Sequence, residues 1–126
     1  MHKISDHLSL ALYCGLIFWL SSQETLPTPL LFTNQDKLHH YAAYFVLGLL
    51  SWRSFRHTRQ RPIILAIVGI TFGSLYGLSD EWHQSFVPGR NSSAADWLAD
   101  TTGVLTAQLL LLKYAQQCKL FQSYQS

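Results

Sequence analysis

The chain has 126 residues, enough for one domain, with 48% hydrophobic residues, only 13% charged ones and a net charge of +2. That balance excludes a disordered tail, which needs low hydrophobicity and high charge, and a basic nucleic-acid binder that works by neutralising phosphates. A mean hydropathy of +0.10 fits either a soluble core or a small membrane protein, so the positions of the charges decide between them.

Four apolar segments follow one another: Leu8 to Ser22, Tyr41 to Trp52, Pro62 to Ser79 and Thr101 to Leu112. A bilayer-crossing helix needs about 20 residues. The first and third segments approach that length unaided. The second and fourth reach it only by absorbing the polar stretches 36–40 and 96–100. The expectation is an all-α, four-helix antiparallel transmembrane bundle forming a single domain over 1–126, with spans near 5–23, 36–54, 62–80 and 94–113. The third segment is apolar on every face, unlike a soluble surface helix with its polar stripe. Trp19, Trp52, Trp82 and Trp97 fall near segment ends, where an aromatic belt places them. A cleaved signal peptide is the competing reading of the first segment, but Trp19 and Leu20 make a poor approach to a cleavage site. Cys14 and Cys118 read as two unpaired thiols.

Orientation follows from the cations. Lys3, Arg53, Arg56, Arg59, Arg61, Lys113 and Lys119 fall on one side of a four-span protein, and only Lys37 and Arg90 on the other. Asp6 shares the first side, whereas Glu24, Asp36, Asp80, Glu81, Asp96 and Asp100 lie opposite. Both termini are therefore expected in the cytoplasm, in a multi-pass membrane protein.

The opposite rim concentrates the chemistry. Asp36 and His40 are four residues apart and share a helical face, which Tyr44 extends. The third segment ends in Asp80, Glu81 and Gln84, and Pro88-Gly89 turns the chain back ahead of Arg90. Ser93 to Asp96 has the spacing of a capping box at the start of the fourth helix. Asp96 and Asp100 then continue on one face with Gly103 and Ala107. Each has a structural alternative: Asp96 as a helix cap, Asp36 as a first-turn dipole partner, Arg90 as a loop-closing partner of Asp96 or Asp80. His39 and His83 read as interfacial or exposed. Gly69, Gly73 and Gly77 recur every fourth residue and, with Gly103, form a helix-packing face within the chain or between copies in a homo-oligomer.

The series Ser21-Ser22-Gln23, Asp36-Lys37-x-x-His40 and Asp80-Glu81-x-x-Gln84-x-Phe86-Val87-Pro88-Gly89-Arg90-x-x-Ser93-x-x-Asp96 resembles the VanZ-like family across nearly the whole chain. Asp100 departs from the Asn expected in many relatives. The resemblance implies a small integral membrane protein of the bacterial cell envelope. The family takes its name from a protein associated with low-level resistance to the glycopeptide teicoplanin. The motif positions carried over are Asp36, Lys37, His40, Asp80, Glu81, Gln84, Arg90, Ser93 and Asp96.

Two functions fit these residues. In an enzyme acting on an envelope lipid or lipid-linked precursor, Arg90 and Lys37 would hold a phosphate, with Gln84, Ser93 and Asp96 as further binding residues. His40, oriented by Asp36, would serve as general acid or base, and Asp80 with Glu81 as a second proton-transfer pair. Alternatively Asp80, Glu81, Asp96 and Asp100 would ligate Mg2+, Ca2+ or Mn2+. No serine has an activating partner by spacing. In a non-enzymatic binder, the same cluster would recognise an envelope headgroup or a glycopeptide-related ligand. A transporter ranks last, because Gln108 is the only strongly polar residue in the lower fourth segment.

Overall fold

A computed structural model of the chain describes residues 2–24, 29–58 and 61–125, with side chains as far as Lys119. The described residues form four helices and no strand: α1 (His2–Ser21), α2 (Gln35–Phe55), α3 (Pro62–Gln84) and α4 (Ala94–Gln125). Two of the expected boundaries move. Helix α3 runs one turn beyond residue 80, because the first residues that favour a turn come only at Pro88-Gly89; Glu81 and Gln84 are consequently helical and buried. Helix α4 continues well past residue 113, since no Gly or Pro follows to stop it.

Helices α1 and α3 are long and apolar enough to cross a membrane. The core is narrow and built from Leu10, Ile17, Tyr44, Leu47 and Val104. Many large apolar side chains point outward instead, among them Leu12, Trp19, Ile67, Leu75 and Leu98.

Small residues set the spacing of the centre. A Cβ on Gly103 would stand 2.3 Å from the backbone oxygen of Tyr41, so α2 and α4 touch backbone to backbone there. On α3 the stripe Gly69, Gly73 and Gly77 receives Gln108, Val104 and Asp100 of α4 in turn. The glycine ridge is thus occupied within the chain. Contacts ascend together on α2 and α4, from Lys37–Asp96 through His40–Asp100 to Tyr41–Thr106. Along α3 and α4 they ascend in opposite senses.

Helix α1 contributes Leu10 and Ile17 to the core and adds polar contacts along its length. Near its start, Asp6 is buried against Arg53 (2.7 Å), His57 (2.9 Å) and Arg56 (3.3 Å), and His7 hydrogen-bonds Ser54. Midway, the Tyr13 hydroxyl donates to the Ala43 carbonyl and Tyr76 donates to the Cys14 carbonyl. At its far end Ser22 pairs with His83, whose ring stacks on Phe18.

Candidate functional site

The N-terminal ends of α2 and α4 meet the C-terminal end of α3, and that meeting gathers the polar residues. His40 Nδ1 lies 2.7 Å from Asp100 Oδ1 and 3.7 Å from Glu81 Oε1. The Asp100 side chain is 0% exposed and that of His40 11%. One turn deeper, the Tyr44 hydroxyl donates to Asp80 Oδ2 at 3.2 Å. Gly77 makes room for this arrangement, since a Cβ there would press on both Asp100 and Tyr44. Glu81 Oε1 and Asp100 Oδ2 are buried with no hydrogen-bond partner. Such groups cost folding free energy, on the order of 1–3 kcal/mol each or more when charged, so each calls for a partner such as a water or an ion.

Two adjoining clefts open on its His40 side. The larger encloses about 300 Å³ among Gln35, Asp36, His39, His40, Gln84, Arg90, Asn91 and Asp96. The smaller, about 100 Å³, adds an apolar side from Ile17, Leu20 and Ala43 and reaches Tyr44 and Asp80. His39, His40, Gln84 and Arg90 line both. The space they share is polar at one end and greasy at the other.

Several expected partnerships are redrawn. Asp36 does not orient His40. It sits in the first turn of α2 with a largely exposed side chain and pairs with Lys37 at 3.3 Å, while Asp100 reaches His40 from α4. Lys37 bridges Asp36 and Asp96 at 3.3 Å each and lies outside the cleft lining, so its charge is already engaged. Arg90 contacts neither Asp80 nor Asp96; its Nη1 reaches the Gln23 carbonyl at 3.5 Å, and the side chain borders both clefts. The cap at Ser93 is half of the expected box. Ser93 Oγ accepts from the Asp96 N–H, but the Ser93 N–H donates to Glu81 Oε2, because Lys37 draws the Asp96 carboxylate away. Asp96 consequently stands apart from the innermost acids, and His40 takes its place in the group of potential ligands His40, Asp80, Glu81 and Asp100.

Some cleft residues were not legible as such. His39 reads as interfacial from its neighbours, yet it lines both clefts. Gln35 is buried, accepts from the Leu31 N–H at 2.6 Å and donates to the Pro29 carbonyl, which fixes the loop at the mouth. Its position immediately ahead of Asp36 was the only signal available.

The fold and site define a class: an all-helical protein with membrane-length apolar helices and a buried acid–histidine cluster at one end. The VanZ/LLP1 family model matches residues 8–116, and the chain belongs to that family. No curated protein and no solved structure matches it.

Proposed function

We propose that the chain is a four-span protein of the bacterial cytoplasmic membrane, an antiparallel bundle with both termini in the cytoplasm. Its outward-facing site recognises the phosphate-bearing head of an envelope lipid or lipid-linked precursor. Family membership and the outward Leu, Ile and Trp side chains support the membrane setting. The cations Lys3, Arg53, Arg56, Arg61, Lys113 and Lys119, on the other side of the four-span reading, support the orientation. One observation carries the ligand class: Arg90, Gln84 and His40 border both a polar cleft and an adjoining apolar groove. An amphiphile fits that combination, with its head against the guanidinium fork and its chain against Ile17, Leu20 and Ala43. Sequestering or modifying such a lipid is a route by which the protein would influence glycopeptide tolerance.

The test uses purified protein in nanodiscs, titrated with a polyprenyl phosphate and with the uncharged polyprenol. Saturable binding of the phosphate alone, weakened in Arg90→Gln, is the expected result. Equal partitioning of both lipids would remove the headgroup reading.

Catalysis is a second reading, favoured by the 2.7 Å His40–Asp100 pair. Asp100 fixes the imidazole, and Nε2 has no protein partner among the described residues, so it is free to take a proton from water. The water oxygen would then attack phosphorus, the ester bond to the lipid alcohol would break, and the alcohol would receive a proton. Phosphate release that is equal in wild type and His40→Ala leaves binding as the function.

A further inference from the structure

The outer cleft has a charge imbalance that the lipid reading does not resolve. Asp36 and Asp96 line it and both engage Lys37, Arg90 is the cation left on the lining, and the buried acids Asp80, Glu81 and Asp100 lie behind His40. A phosphate entering that space meets net repulsion. Beneath it, one ring nitrogen of His40 and one carboxylate oxygen from each of Asp80, Glu81 and Asp100 lie within 4.8 Å of one another. The three acids are buried, and Glu81 Oε1 and Asp100 Oδ2 lack partners. Glu81 Oε1 is directed into the group, 3.7 Å from His40 Nδ1.

We propose that His40, Asp80, Glu81 and Asp100 form a divalent-cation site and that the cation joins the protein to the phosphate of the lipid head. The second part rests on the lipid reading above; the cation site stands without it. The ligands come from three helices, α2, α3 and α4, so the ion ties together the end of the bundle that small residues bring close. Bonds of about 2.0–2.2 Å place opposite ligands ~4.2 Å apart, so a small contraction of the 4.8 Å group completes a coordination sphere.

The surrounding hydrogen bonds already have the form of a supporting shell. Tyr44 holds Asp80 by Oδ2, and the Ser93 N–H holds Glu81 by Oε2, which leaves the other oxygen of each for the ion. Ligation through Nδ1 requires a neutral imidazole with its hydrogen on Nε2, so the hydrogen between His40 Nδ1 and Asp100 would leave that pair, to Nε2 where that nitrogen is bare and to solvent where it already carries one. One nitrogen with three carboxylates suits Mn2+ or Zn2+ better than Ca2+, which prefers an all-oxygen sphere.

The full-length protein, stripped with EDTA in detergent, is titrated with MnCl2 while free Mn2+ is followed by electron paramagnetic resonance. One tightly bound Mn2+ per chain is expected, with a higher melting temperature and displacement by Zn2+. Asp100→Asn and Glu81→Gln, purified as monodisperse protein, should each weaken binding by about tenfold or more. Wild-type protein that binds no Mn2+ or Zn2+, or variants that bind like wild type, would overturn the cation site. Should the variants fail to fold, the wild-type stoichiometry decides alone. Polyprenyl phosphate binding to wild type is then compared with and without EDTA. Loss of lipid on chelation supports the bridge, and lipid retained at equal affinity overturns it while leaving the headgroup reading in place. Mn2+ bound with no lipid binding under either condition overturns the headgroup reading and the bridge, but leaves the cation site standing.

Discussion

The two ends of the bundle each bury an acid, and they treat it differently. At the end near the chain start, Asp6 is surrounded by Arg53, Arg56 and His57, and both of its oxygens are engaged. At the other end Glu81 and Asp100 share the His40 imidazole, Asp80 accepts from the Tyr44 hydroxyl, and two carboxylate oxygens have no hydrogen-bond partner. The first arrangement ties α1 to the end of α2. The second holds unbalanced negative charge beside a cleft, which no packing requirement explains. A buried charge is thus no sign of function by itself; incomplete pairing is the better guide.

The largest expected effect comes from the frame common to both ends. Replacing Gly103 by Leu drives a side chain into the backbone of α2, where even a Cβ would lie 2.3 Å from the Tyr41 oxygen. Overpacking of this kind costs about 1–3 kcal/mol, with more expected here because backbone blocks the space. Thermal unfolding in detergent should show the lowest melting temperature of the set, and a wild-type value would refute the close helix contact. Next, Asp6→Asn leaves Arg53, Arg56 and His57 without their anion, so the melting temperature should fall clearly while lipid binding per folded molecule stays constant.

Asp100→Asn separates the two ends most sharply. Its isosteric amide removes charge from a crowded acidic cluster and still offers His40 a hydrogen-bond acceptor, so metal-free protein should be at least as stable as wild type. Lipid binding should drop. A matching loss of stability in Asp6→Asn and Asp100→Asn would erase the distinction between the ends. The smallest effect belongs to Asp36→Asn, whose side chain is 59% exposed in its pair with Lys37. Stability should stay within about 0.5 kcal/mol, as for most exposed ion pairs.

Much of this was readable in the chain. The four helices follow from the apolar segments, and the approach of Asp80, Glu81 and Asp96 to one rim follows from helix direction and the Pro88-Gly89 turn. The third segment was also expected to end in Asp80, Glu81 and Gln84, and all three are helical and buried. Partner choice was not readable. The four-residue spacing of Asp36 and His40 suggested a pair, but packing across α2 and α4 delivered Asp100 instead. Local periodicity reports which residues share a face and is silent about which neighbouring helix supplies the closer group. For the same reason Asp6 looked like an ordinary charge on the cation-rich side, although α2 buries it completely. The burial of Gln108, which donates to the Gly48 carbonyl and Ser51, likewise depends on Gly69 leaving space across the interface.

The central claim is that the incompletely paired end recognises a phosphate-headed lipid through a divalent cation held by its acids and the fully paired end does not. Binding of polyprenyl phosphate to nanodisc-held wild type, Asp6→Asn and Asp100→Asn, in the presence of Mn2+, tests it directly. The account predicts equal affinity for wild type and Asp6→Asn and a loss of about tenfold or more, equivalent to ~1.4 kcal/mol, for Asp100→Asn. Undiminished binding by Asp100→Asn, or no preference for the phosphate over the polyprenol in wild type, would contradict it.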